Sequence, residues 1–132
     1  MPIIREPRIT RQMVREHPDR LFVFGDNLAR VGYGGQAREM RDEPNAVGIP
    51  TKKLPTMTEN AFFSDADVAG FRAAAAPEFE RLALHLRAGG TVVWPEAGIG
   101  TGLADLRLRA PRVWGSLQRA IAKLEGIADG RL

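Results

Sequence analysis

Cysteine is absent from the sequence. That excludes disulfides, thiolate nucleophiles and cysteine-ligated metals. Histidine occurs twice, as His17 and His85, far apart and in no HExxH arrangement. A zinc site is therefore not expected, and neither a metal nor a cofactor is assigned. Neither a GxSxG elbow nor a GxxxxGK[ST] phosphate loop occurs. No apolar run approaches the roughly 20 residues of a membrane helix, so no membrane partner is expected. The first residues, MPIIREPRITRQ, hold no stretch of the kind a secretory signal needs. The expected setting is cytoplasmic. Like charges do not form a block, although Lys and Arg number 19 against 16 Asp and Glu. The net charge of +3 fits a solvated arginine-rich surface better than a nucleic-acid-binding patch.

What remains is an ordinary globular composition of 132 residues, 44% hydrophobic and 27% charged. This predicts one domain over residues 1–132, with no linker or internal repeat. Thr10 caps a short helix to Glu16 that ends at Pro18-Asp19. Leu21–Phe24 is a continuous apolar run, as in a parallel strand covered on both faces. Gln36–Arg41 reads as a helix, and Asn45–Ile49 as a second strand stopped by Pro50. Thr51–Phe63 reads as a functional loop. Ser64 and Asp67 have the spacing of a capping box. Val68, Phe71, Ala75, Phe79, Leu82 and Leu86 follow at helical steps. Pro77 predicts a kink there, or two consecutive helices. Thr91–Trp94 is a third strand stopped by Pro95. A last helix starts at Pro111, buries Val113, Leu117, Ile121 and Leu124, and closes at Gly126, with the final six residues frayed. Three strands alternating with helices predict a three-layer α/β domain.

Nine of the 14 glycines fall in two short windows. Gly25, Gly32, Gly34 and Gly35 follow the first strand. Gly89-Gly90 closes a helix, and Gly98, Gly100 and Gly102 follow the third strand. Ligands of open α/β sheets bind beyond the carboxyl ends of the strands. Glycine there lets backbone N–H groups approach a ligand closely, and a following helix adds positive potential. Tight turns would explain one such loop. Two of them, Val31–Gln36 and Gly98-Ile99-Gly100-Thr101-Gly102, favour a phosphate or diphosphate site.

Polar residues cluster at the same strand ends. Asp26 and Asn27 begin either an Asx turn or a contact to a base amine and a sugar hydroxyl. Tyr33 either stacks on a base or ribose or anchors its loop. Thr51-Lys52-Lys53 is either a basic turn or a source of a phosphate-binding or nucleophilic lysine. Glu96 and Asp105 bracket the second glycine loop as candidate acid/base groups, and Asp105 fits a helix entry equally well.

In this order the residues resemble a macrodomain. The likeness is to the branch that holds the terminal ADP-ribose glycohydrolases and the macrodomain antitoxins that remove ADP-ribose from DNA. It is carried by GDNLARVGYGGQAREM, NAVGIPTKK and VVWPEAGIGTGLADL, and covers roughly Leu21 to Trp114. The resemblance implies a mixed, mostly parallel sheet between helices and an ADP-ribose cleft. It also implies hydrolysis of ADP-ribose from a macromolecule or metabolite, or plain binding of it. Gly34-Gly35 and Gly98 to Gly102 would hold the diphosphate and distal ribose, with Asn27 on that ribose. Lys52 would attack the anomeric carbon, Lys53 being its neighbour, and a carboxylate of the second loop would assist release. The family's acid directly follows Gly-x-Gly-Leu. Here Ala104 stands at that place and Asp105 comes next, while Glu96 replaces the family's arginine after Pro95. The stretch PEAGIGTGLADL is also similar to the Pro-Gly-Gly-x-Gly-Thr loop of the nucleotide phosphoribohydrolases, which cleave the N-glycosidic bond of a nucleoside monophosphate.

Overall fold

The structure is a computed structural model and describes residues 2–131. Four strands form one sheet: β1 (Ile3–Glu6), β2 (Arg20–Asn27), β3 (Ala46–Lys52) and β4 (Thr91–Pro95), in the order β1-β4-β2-β3. Every pairing is parallel. The mixed sheet expected from the resemblance is thus corrected to a wholly parallel one among the described residues. Parallel neighbours need crossover connections, and helices supply them. α1 (Arg11–Glu16) lies between β1 and β2, α2 (Ala37–Met40) between β2 and β3, and α3 (Val68–Arg87) between β3 and β4. After β4 come α4 (Leu106–Arg109) and α5 (Pro111–Ala128).

The apolar run of β2 reflects burial on both faces. Leu21 and Val23 pack with Val47, Ile49, Val92 and Trp94 under α3 and α5, through Phe71, Leu82, Val113 and Leu117. Phe22 and Phe24 alternate to the opposite face and pack with Val93 under α1 and α2, through Val14, Ala37 and Met40. One strand therefore serves two cores, as its lack of alternation implies.

Several boundaries differ from the sequence reading. β1 was not expected, because IIRE is only four residues long and lies at a sheet edge. β2 continues through Gly25-Asp26-Asn27, and β3 through Pro50, Thr51 and Lys52. Pro50 is tolerated because β3 is the other edge strand, where a missing ladder donor leaves no partner stranded. α2 is shorter than Gln36–Arg41. α3 is one unbroken 20-residue helix despite Pro77. Pro77 lies on its exposed side, where water can satisfy the carbonyl that its ring releases. α5 runs past Gly126 to Ala128, because Ile127 is buried in the core and holds the last turn.

Local signals account for the helix starts. The Met13 N–H donates to Thr10 Oγ1 at 3.2 Å. Ser64 and Asp67 form the full capping box on a 3-10 turn, Asp65–Asp67, that leads into α3. Pro111 occupies the first turn of α5.

Candidate functional site

Parallel strands bring their carboxyl ends to one edge of the sheet, and β2 and β4 separate there. Their pairing ends at Phe22–Val93, while β2 continues beside β3 to Asn27–Lys52, with a bulge at Asp26/Asn27. The gap is a topological switch point, where open α/β sheets bind ligands. Gln36 spans it. The Gly25 N–H donates to Gln36 Oε1 at 2.8 Å, and Gln36 Nε2 donates to the Gly98 carbonyl at 3.0 Å. One side-chain amide thereby replaces a missing piece of sheet ladder and ties the two glycine loops together. Gln36, expected on a ligand, is a brace with both ends of its amide engaged.

Beyond this brace lies a cavity of 310 Å³. One wall is Gly32, Gly34, Gly35 and Gln36, and the facing wall is Gly98, Gly100, Thr101 and Gly102. Gly25, Asp26 and Asn27 of β2 and Thr51 and Lys52 of β3 also line it. The N–H groups of Gly34, Gly35, Gln36, Gly100, Thr101 and Gly102 reach no acceptor among the described residues. Opposed walls with unclaimed donors suit an anionic group. The helices that follow, α2 and α4, have four residues each. The donors therefore belong to the loops, and the helix-end contribution expected from the sequence falls away.

A side chain is crowded at Gly25 and excluded at Gly100. A Cβ on Gly25 would lie 3.3 Å from Thr51 Oγ1 and 3.6 Å from Ile99 Cβ. Gly100 has φ of +73°, and its Cβ would lie 2.6 Å from Leu106 Cδ1. The second loop thus closes tightly over the start of α4.

Asn27 is buried. Its Nδ2 donates to the Val31 carbonyl at 2.8 Å, which fixes the orientation of the amide. Its Oδ1 is buried without a partner. Such an acceptor costs free energy unless a donor reaches it, and a ligand hydroxyl is a donor of the right kind. Asp26 is different. Its carboxylate accepts from Arg41, from Arg30 Nη1 at 3.3 Å and from the Asn27 N–H at 2.8 Å. Arg41 also donates through Nε to the Gly32 carbonyl at 2.6 Å and faces the Phe24 ring. Asp26 therefore anchors the first glycine loop through Arg41 and has little capacity left for a ligand.

Lys52 lines the cavity, and its Nζ donates to the Thr56 carbonyl, just outside the lining, at 2.6 Å. Burial, then the nearby Arg109 charge, pushes its amine below the usual lysine range. Lys53 points elsewhere, with its Nζ 3.7 Å from Asp67.

Four expected site residues do not line the cavity: Tyr33, Glu96, Ile99 and Asp105. The Tyr33 hydroxyl donates to Asp42, which raises the phenol's pKa and makes the ring a loop anchor. Ile99 is buried in the main core. Glu96 is exposed, and its N–H continues the ladder to the Glu6 carbonyl. Asp105 adopts a left-handed conformation, φ +48°, at the entry to α4. Leu103 and Ala104, just before it, line the cavity instead.

The lining also includes Arg41 and an apolar lip of Val31, Leu54, Met57 and Leu103, which the sequence reading missed. Arg41 had one visible signal: a charge four residues after the buried Ala37, in phase with a core-facing side. Within the lip, Val31 and Leu103 flank the two glycine loops, whereas nothing singles out Leu54 and Met57 in the functional loop Thr51–Phe63, which has no period. No curated protein and no solved structure matches this chain. A family model, described as a family of unknown function (DUF7831), matches residues 4–120. The chain, with its braced cavity between two glycine loops, therefore belongs to that family.

Proposed function

We propose that the cavity binds ADP-ribose, or the ADP-ribose end of a modified molecule, in a macrodomain-like manner, and that Lys52 attacks the anomeric carbon of its distal ribose. The observation that carries this reading is the pair of facing glycine walls with unclaimed N–H groups, with Lys52 on the same cavity. A volume of 310 Å³ lies at the lower end of the usual range for small-molecule sites, about 300–1,000 Å³. The diphosphate spans the walls, and a ribose hydroxyl donates to the stranded Asn27 Oδ1. The apolar lip covers the less polar part of the ligand.

In the chemical step the Lys52 Nζ lone pair forms a bond to the anomeric carbon. The bond from that carbon to the modified group breaks, and the departing atom leaves with the electron pair and receives, through solvent, the proton that Nζ sheds. Water then bonds to the anomeric carbon and gives a proton to Nζ as the C–N bond breaks, which releases ADP-ribose and restores the free amine. The amine must be unprotonated at the start, and its lowered pKa favours that form.

A second reading, binding without turnover, is favoured by one observation. Asp105 and Glu96, the two candidate acids, lie off the cavity. Its one lining carboxylate, Asp26, is held by two arginines.

Calorimetric titration with ADP-ribose, with AMP as control, tests the binding claim. Preferential binding of ADP-ribose is expected. Equal or better binding of AMP would move the assignment to the phosphoribohydrolase resemblance. Lys52→Ala separates the two readings: it should abolish release from an ADP-ribosylated substrate while ADP-ribose still binds. A wild-type protein that binds but releases nothing over long incubation is a reader of the modification.

A further inference from the structure

Lys52 shares an aromatic ring with a second cation. Its Nζ lies 4.8 Å from the centroid of Phe62, and Arg109 Cζ lies 3.6 Å from the same centroid. Phe62 is buried. It ends the short turn after β3, whereas Arg109 is the last residue of α4, at the exit of the second glycine loop. The ring thus joins the turn that follows the lip residues Leu54 and Met57 to α4, and neither Phe62 nor Arg109 itself lines the cavity.

The charges around Lys52 are unevenly shared. Glu59 pairs with Arg109 at 3.0 Å. Asp67 pairs with Lys53, and Asp26 with Arg41 and Arg30. No carboxylate pairs with Lys52 among the described residues, and its hydrogen-bonding neighbours are the Thr56 carbonyl and the Met57 sulfur. The ring attracts either cation, but Arg109 lies closer to it and cannot give up its charge. A second cation nearby, in a partly desolvated place, is disfavoured.

We propose that Arg109 is a positioning residue for Lys52: lying against the Phe62 ring with its own permanent charge, it disfavours a second cation beside it and so keeps the Lys52 amine available as a nucleophile. Burial and the Arg109 charge act in the same direction on this amine. The inference rests on Lys52 being the reactive amine of the proposed function, but its test needs no substrate.

The full chain is treated with acetic anhydride across a pH series, and acetylation at each lysine is read by mass spectrometry. Each amine bonds to the anhydride carbonyl, acetate departs, and the nitrogen loses its proton to solvent. Lys53 and Lys123 are the other two lysines and serve as internal standards. The pH midpoint of Lys52 should lie below that of the exposed Lys123. Arg109→Gln should move the Lys52 midpoint up toward that of Lys123 and so lower Lys52 acetylation, relative to Lys123, at a fixed pH below the midpoint. Arg109→Lys should restore most of it. Two results overturn the proposal: an unchanged ratio in Arg109→Gln, or an equal loss in both variants. A wild-type Lys52 midpoint no lower than that of Lys123 overturns it without any variant. A low midpoint that depends on Arg109, in a protein that releases no ADP-ribose, sinks the hydrolase reading and leaves this inference standing.

Discussion

Gly48 has no side chain because Asp26 and Phe24 occupy the space one would need. A Cβ there would lie 2.6 Å from Asp26 Oδ2 and 2.9 Å from Phe24 Cζ. Asp26 cannot move aside, because Arg41 and Arg30 hold it. Gly48→Ala should therefore cost about 1–3 kcal/mol, the usual range for overpacking. A urea midpoint equal to that of the wild type would refute the argument. Asp26→Asn leaves Arg41 buried without its counter-charge and should cost about 3–5 kcal/mol. It should also loosen the first glycine loop, since Arg41 bonds the Gly32 carbonyl. Faster hydrogen exchange of the Arg38 N–H, which donates to the Gly35 carbonyl, reads that loosening directly. Asp26 shows what single residues can and cannot reveal. Its position after an apolar strand marks a functional edge in the sequence, but its partner is 15 positions away. No local period links the two.

Among the elements, α3 carries one favourable and one unfavourable device. Its capping box joins Ser64 and Asp67, and the Ser64 N–H donates to Asp67 Oδ2 at 2.7 Å. Ser64→Ala should destabilise by about 1 kcal/mol. Pro77 acts the other way, removing a helical donor within an unbroken helix. Pro77→Ala should raise stability by about 1–3 kcal/mol, and thermal unfolding decides. A lower melting temperature would mean that a bend at Pro77 is needed to fit α3 to the sheet. The capping box, the Thr10 cap and the Pro111 start were all legible, because each depends on residues within one turn. The ends of β2 and β3 were not. Gly25-Asp26-Asn27 and Pro50-Thr51-Lys52 look like loop residues, and only their pairing with each other keeps both strands extended.

At the scale of the whole molecule, stability should be lost on the acid side. Hydrogen bonds from Arg15 and Arg11 hold the Glu43 carboxyl below its ordinary value of 4.5. The Ser64 N–H does the same for Asp67, below 3.8. In both cases the unfolded chain takes up the proton first as pH falls. The contribution is therefore complete above about pH 4.5 and disappears as pH drops through the folded values. Chemical denaturation at a series of pH values should show a fall beginning near pH 4.5 that is shallower in Glu43→Gln. An equally steep fall in that variant would remove Glu43 from the account.

The alternation of apolar strands with amphipathic helices was enough to imply an α/β domain whose strands are covered on both faces. The two glycine windows were enough to mark the ligand edge, since strand ends and glycine loops are local properties of the chain. Tertiary structure decided how those pieces divide the work. Parting β2 from β4 opened the cavity, and Gln36 was drawn in to brace it. Asp26 became an anchor, and Asn27 kept an unsatisfied oxygen. Lys52 met Arg109 across a buried ring, while Asp105 and Glu96 were left outside. These outcomes turn on distances between residues far apart in the chain, which depend on the strand order, and no local pattern of residues encodes them.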